Sequence, residues 1–263
     1  GRVVHVALGN TGVGGELLPF FGRLGALLYL NLVANPALRG DVADLAGATE
    51  LRDLGLRDCP LVVGEAAALA MLVHLGEEYT LPAMYGKPAR MRRNLGFFCA
   101  PGVSYGYFFS RQLAAAKPIT PELAALLELV NRLFGTEYNG ALVNEYEDGD
   151  SSIADHRDDE LGLDNARGVL SISYGAERKF QIKHWNPSTN APFPKKEKPW
   201  CEVPTRSCYA LLMAGADFQR VFSHGIPKQK GAGRRVSITW RRHDKAREEA
   251  LYASWVRKRA REE

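Results

Sequence analysis

Asn144-Glu-Tyr-Glu-Asp-Gly-Asp-Ser-Ser-Ile-Ala-Asp-His-Arg-Asp-Asp-Glu160 is the stretch whose reading decides the fold of this chain. It grows out of an apolar, strand-like run, Ala141-Leu-Val-Asn-Glu-Tyr146, and closes on a His-x-Asp pair, His156 and Asp158. Residues two apart in a β-strand share a face, so one imidazole and one carboxylate can converge on a single ion. Alone, His-x-Asp serves equally well as a surface ion pair. A metal needs a further ligand from a distant strand, and His224, in Val221-Phe-Ser-His-Gly-Ile-Pro227, is the leading candidate. Two histidines and one carboxylate on one face of a metal, with the other positions open, form the ligand set of non-heme Fe(II) oxygenases.

Downstream of His224 comes Arg235-Val-Ser-Ile-Thr-Trp-Arg241, an alternating strand that begins and ends with arginine. Positions 235, 237, 239 and 241 share one face of it. Two inward guanidiniums need anionic partners, because an unpaired buried charge is costly. A dicarboxylate beside the metal would supply them through the planar fork that arginine offers to carboxylates.

Together the segment 144–160, the run Phe222-Ser-His-Gly-Ile-Pro227 and the strand 235–241 resemble the AlkB family, Fe(II)- and 2-oxoglutarate-dependent dioxygenases that oxidatively dealkylate nucleic acid bases. The order Asn-x-Tyr, His-x-Asp, His, Arg-x5-Arg agrees throughout. His-Arg-Asp-Asp-Glu (156–160) is similar to the repair members of animals and plants. Gly215-Ala-Asp-Phe-Gln-Arg-Val-Phe-Ser-His224 resembles the AlkB domains of plant RNA-virus replicases. The similarity covers residues 80 to 243 and leaves out the first sixty.

The resemblance implies an α+β fold: a double-stranded β-helix, or jelly roll, with buttressing helices and a nucleotide-recognition lid. It implies three regions: an N-terminal extension (1–60), a dioxygenase domain (61–243, lid about 82–112, catalytic core 141–243) and a charged helical tail (244–263). His156, Asp158 and His224 would hold Fe(II), with 2-oxoglutarate and dioxygen as cosubstrates. Arg235 would pair with the distal carboxylate of 2-oxoglutarate, supported by the Tyr146 hydroxyl, with Asn144 and Arg241 around its metal-proximal end. Ser237 stands where many relatives carry an asparagine, and its hydroxyl still donates one hydrogen bond. Asp159 and Glu160 match positions lining the base pocket, where an acidic group favours a cationic methylated base. The expected partner is alkylated DNA or RNA, such as 1-methyladenine or 3-methylcytosine, single-stranded or with a flipped base, met by a monomer. The alternatives are a 2-oxoglutarate-dependent hydroxylase with another target (5-methylcytosine, a tRNA base or a protein) and a non-catalytic nucleic acid binding module.

The remaining chain adds context. Its apolar content of 46% and charged content of 24% are those of a soluble globular protein. No apolar run approaches a membrane span. Cys59, Cys99, Cys201 and Cys208 show no CxxC spacing and read as free thiols of an intracellular, reducing compartment, nucleus or cytoplasm. The net charge of +4 permits nucleic acid binding without arguing for it. The chain opens at Gly1 without a starting methionine, which fits a piece of something longer. His5 to Gly15 reads as a short strand and a glycine-rich turn, Leu17 to Leu32 as a helix, and Leu61 to Leu75 as an amphipathic helix. Pro82 to Asn94 and Gly102 to Ser110 interleave cations with aromatics, a mixture suited to phosphates and unpaired bases. Tyr105 and Tyr107, two apart, are the preferred stacking residues, with Tyr85 and Arg90 behind them. Pro118 to Phe134 is a helix with a Thr cap, an early proline and a Gly135 stop. Short strands follow at 141–146, 168–174, 178–184, 207–213, 219–223 and 234–240, the spacing of a jelly roll. Residues 186–199, rich in Pro and Lys, read as an exposed loop.

Overall fold

All seven residues of the strand Arg235–Arg241 are buried. Antiparallel neighbours flank it on both edges, Gly140–Tyr146 on one side and Val169–Gly175 on the other. Its β-branched and aromatic residues Val236, Ile238 and Trp240 suit a pleated surface, and they leave Arg235, Ser237, Thr239 and Arg241 to the opposite face. Around this strand runs a seven-stranded sheet in the order Tyr209–Met213, Val169–Gly175, Arg235–Arg241, Gly140–Tyr146, Asn94–Cys99, Gln112–Pro118, Gly106–Phe109. A second sheet places Phe222–Ile226 between Ile153–His156 and Arg178–Asn186; Cys201–Thr205 and Ala191–Pro192 pair on Arg178–Asn186. The inner faces of the two sheets enclose one cavity. Tyr146, Val169, Phe180, Ile182, Met213 and Ile226 pack as the core between them. This is the jelly roll that the strand spacing predicts.

The computed structural model describes residues 5–8, 11, 14–16, 18–24, 26, 29–31, 38–39, 53–55, 75, 80–84, 87–109, 112–186, 191–192, 199–207, 209–214 and 218–260. They fall into two units, residues 70–119 with 138–263, which hold the jelly roll, and residues 1–69 with 120–137. In the latter, His5–Ala7, Tyr29–Asn31 and Asp53–Gly55 form a parallel three-stranded sheet. The expected helix 17–32 is cut to Leu18–Gly22, and Tyr29–Asn31 is a strand instead. Gly22 and Gly25 weaken a helix there, and the second half has a pairing edge on each side. The helix Pro121–Phe134 forms as expected. The Thr120 hydroxyl caps the Leu123 amide, and Gly135 ends the helix at φ 60°, a left-handed conformation that glycine adopts freely. The expected helix 61–75 lies outside the described residues, Leu75 excepted.

Two local expectations change in the jelly roll. The strand expected at 219–223 is a helical turn, Phe218–Val221, followed by the strand Phe222–Ile226. The turn brings the Gln219 side chain inward, where it accepts a hydrogen bond from the Asp158 amide at 2.8 Å. At the C-terminus, Asp244 caps a helix over Lys245–Arg259.

Candidate metal centre

The register of the two sheets positions the inner side chains. Tyr146 lies opposite Arg235, Asn144 opposite Ser237 and Leu142 opposite Thr239, all lining the cavity from the larger sheet. From the smaller sheet, His156 pairs with His224 across adjacent strands. Gly225 permits this closeness, since a Cβ there would sit 2.8 Å from Asp155 Oδ1 and 3.0 Å from the Ile153 carbonyl.

His156, Asp158 and His224 come together, one ligand atom from each lying within 4.8 Å of the others. His156 Nε2 is 3.8 Å from Asp158 Oδ1, and His224 Nε2 is 3.6 Å from Asp158 Oδ2. The route differs from the one the His-x-Asp spacing suggests. The strand ends at His156, and Asp158 belongs to the loop that follows. What turns its carboxylate inward is a set of distant groups. Its amide donates to Gln219 Oε1, its carbonyl accepts from Asn165 Nδ2 at 2.6 Å, and Oδ1 is ion-paired with Arg241 Nη2.

The protonation states suit a cation. The carbonyl of Ala154 sits 2.9 Å from His156 Nδ1. A carbonyl only accepts, so Nδ1 carries the proton and Nε2 keeps its lone pair. His224 is pushed down to about 3, by burial first and then by the neighbouring imidazole; burial also lowers His156. Phe180 stacks against the His224 ring at 5.2 Å. For Asp158, burial opposes ionisation, but the Arg241 guanidinium outweighs it and holds the carboxyl below its usual range. Two neutral imidazoles and an ionised carboxylate converge, and Asp158 Oδ2 is buried without a hydrogen-bond partner. Such an atom has a large desolvation cost unless a cation meets it. These residues fit a facially bound metal.

The two arginines divide. Arg241 is already neutralised, by Asp158 and by Glu160 at 3.5 Å. Arg235 donates through Nη2 to Ser173 Oγ at 2.8 Å and lies 5.0 Å from the Tyr146 ring centroid. Its Nε and Nη1 are buried without a hydrogen-bond partner, and burial pulls the guanidinium below its ordinary value. A carboxylate fits there. Thus one inward arginine, not both, lacks an anionic partner among the described residues.

The other candidates are distributed as follows. Asn144 and Ser237 line the cavity, and Asn144 Oδ1 accepts from Arg93 Nε at 2.8 Å. Glu160 is raised to about 7, by burial first. Asp159 does not line the cavity, because it turns to the surface and pairs with Arg157. Tyr105 and Tyr107 do not act as a matched pair. The strand begins only at Gly106, so Tyr105 is 43% exposed and stacks on Tyr252 of the C-terminal helix at 4.0 Å. Tyr107 is 8% exposed, stacks on Phe109, and has the Arg241 guanidinium 5.5 Å from its ring. Arg90 ends the strand Lys87–Arg90, but its side chain and Tyr85 lie outside the described residues. Sequence reading missed Ser173 and Asn165, which carry no local signal, and Gln219, which lies inside the 215–224 run; it offered the Arg90–Arg93 cluster as a rim of the pocket without the bond from Arg93 to Asn144.

Residues 64–241 match the 2OG-Fe(II) oxygenase superfamily. The chain belongs to that superfamily and is a dioxygenase that uses Fe(II), 2-oxoglutarate and dioxygen. The relatives that it resembles include proteins named as ALKBH2 and alkB homolog 3. It is 29% identical over 225 residues to "DNA oxidative demethylase ALKBH2" of Bos taurus, covering 81% of this chain and 79% of that protein. To the Homo sapiens protein of the same name it is 28% identical over 160 residues, covering 60% and 59%. To "Alpha-ketoglutarate-dependent dioxygenase alkB homolog 3" of Rattus norvegicus it is 31% identical over 138 residues, covering 51% and 46%. No helix among the described residues is long and apolar enough to cross a membrane.

Proposed function

We propose that this protein removes N-linked methyl groups from the bases of nucleic acid, acting as a monomer on a single-stranded or flipped base such as 1-methyladenine or 3-methylcytosine. The observation that carries the reading is the sharing of one cavity by the His156, Asp158 and His224 cluster and the unneutralised guanidinium of Arg235. The names of the similar proteins support the demethylation. In the same reading residues 61–243 are the dioxygenase domain, with the lid at about 82–112 and residues 1–60 and 244–263 as additions.

His156, Asp158 and His224 would hold the iron, which would supply the redox chemistry that oxidises 2-oxoglutarate and the substrate methyl group with dioxygen. The products of that chemistry would be succinate, carbon dioxide, formaldehyde and the demethylated base. The chain's residues position the reactants. Arg235, backed by Ser173 and Tyr146, takes the distal carboxylate of 2-oxoglutarate as a fork. Asn144, fixed by Arg93, and Ser237 offer hydrogen bonds along its length. Arg241 keeps Asp158 ionised and aimed. Glu160, beside Arg241 and Tyr107, borders the place for the base and favours a methylated cation when ionised.

The test is product mass on a matched panel of DNA and RNA oligonucleotides carrying 1-methyladenine or 3-methylcytosine, with Fe(II), 2-oxoglutarate and ascorbate. Loss of one methylene mass, abolished by Asp158→Ala, is the expected result and chooses the sugar. Succinate without loss of methyl would assign the oxygenase another target.

A further inference from the structure

The aromatic side chains of the smaller sheet do not stop at the metal cluster. On Arg178–Asn186, Phe180, Ile182 and His184 share one face, and Ile182 lies opposite His224 while His184 lies opposite Phe222. One step of two residues, about 7 Å along the strand, carries that face from the histidine ligand to the sheet's end. There Phe222 packs on Phe218 at 5.4 Å, and Phe218 lies 6.4 Å from the His224 ring. Trp200 completes the run, 5.0 Å from Phe222 and 6.0 Å from His184. This indole is 60% exposed, the second largest exposure among the large hydrophobic residues described. It is nonetheless braced, because Phe222 and His184 both touch it. The sequence just before it, Lys195-Lys196-Glu197-Lys198-Pro199, carries three cations against one anion.

We propose that Trp200, braced by Phe222 and His184, is a stacking platform for an unpaired base of the nucleic acid that flanks the reacting nucleotide. A braced aromatic face that follows a lysine-rich run in sequence is a combination suited to single-stranded nucleic acid, whose bases stack on rings and whose phosphates attract cations. The platform is joined to the metal cluster through three successive ring contacts, Trp200 to Phe222, Phe222 to Phe218, and Phe218 to His224. Because it takes a neighbouring base and not the reacting one, it sets affinity for unpaired strands without choosing the lesion. The inference rests on the nucleic acid reading above.

The experiment is fluorescence anisotropy of a labelled twelve-nucleotide oligothymidylate with the full chain, loaded with Mn(II) and 2-oxoglutarate so that no chemistry occurs. Trp200→Ala is expected to weaken binding about tenfold, and Trp200→Phe by only a few-fold, since base stacking is lost in one and reduced in the other. The slope of affinity against salt stays the same, because no phosphate contact is removed. Mn(II) affinity is read in parallel and stays at the wild-type value, which shows an intact site. If Trp200→Ala binds as tightly as wild type while wild type binds well, the platform is wrong and the demethylase reading stands. If wild type does not bind the oligonucleotide, both fall.

Discussion

The backbone amide of Asp158 donates a 2.8 Å hydrogen bond to Oε1 of Gln219, two buried residues sixty-one positions apart. The carboxylate would otherwise hang from a loop with no strand to direct it. Groups that orient a metal ligand from behind typically change metal affinity 10- to 100-fold when removed. Gln219→Leu is therefore expected to weaken Mn(II) binding by about that factor with the fold retained. Titration calorimetry checks it; wild-type affinity in a folded variant would show that Arg241 and Asn165 suffice.

Arg235 and Arg241 look equivalent on one strand face, yet among the described residues Arg241 has anionic partners and Arg235 has none. Arg235→Met is expected to leave the thermal midpoint of the cosubstrate-free protein unchanged or raised, since a buried, unpaired charge is removed. Wild type should gain about 2.7 kcal/mol from 2-oxoglutarate at a hundred times its Kd, and the Met variant nothing. Arg235→Lys keeps the charge without the fork, and its affinity for 2-oxoglutarate should fall about tenfold. Thermal scans with Mn(II), with and without 2-oxoglutarate, measure all three. Equal cosubstrate stabilisation in the Met variant would remove Arg235 from the site.

What could be read in advance follows from period. The two-residue repeat placed Arg235, Ser237 and Arg241 on one face, because a central strand is regular and paired on both edges. The same rule fails at chain irregularities. Asp158 faces His156 through a loop aimed by Gln219 and Asn165, and no local pattern announces partners so distant in sequence. Tyr105 and Tyr107 separate because the strand starts between them and Tyr252 captures the first. The difference between the two arginines was illegible for a similar reason: it depends on where the 157–160 loop carries Asp158 and Glu160.

The depressed histidines give a pH signature. An ordinary imidazole starts to lose its metal-binding lone pair as pH falls through about 6.5. With His224 near 3, that ring stays neutral there, and burial moves the protonation of His156 to lower pH as well. Metal affinity is expected to be flat between about pH 6 and pH 7.5. For metal-free stability, the folded pKa lies below the unfolded value, so the unfolded chain binds more protons. The His224 contribution is then complete above about 6.5 and is lost as pH falls towards 3. Comparing wild type with His224→Phe isolates it: the gap in denaturant midpoint should shift in favour of the variant on acidification. A gap that shifts the other way would mean His224 is charged in the fold.

Glu248 fastens the C-terminal helix to the sheet that carries Arg241. Its Oε1 lies 2.6 Å from His243 Nδ1, and its Oε2 accepts from Ser104 Oγ at 2.8 Å. All of this is largely buried, and Gly162 packs so closely on the carboxylate that a Cβ there would meet Oε1 at 2.1 Å. Removing one partner of such a buried cluster leaves the others unsatisfied, a loss of about 1–3 kcal/mol for each stranded group. Glu248→Ala is therefore expected to lower unfolding free energy by about that amount per stranded partner, and Glu248→Gln by less, because the amide still offers an oxygen to one partner. The same helix holds Tyr105 through Tyr252, so Tyr252→Ala should release the 102–105 turn at little cost to global stability. Urea unfolding separates the two effects, and hydrogen exchange at the Val103 to Gly106 amides reports the second. A Tyr252→Ala protein with unchanged exchange there would show that Ser104 and Glu248 alone hold the turn.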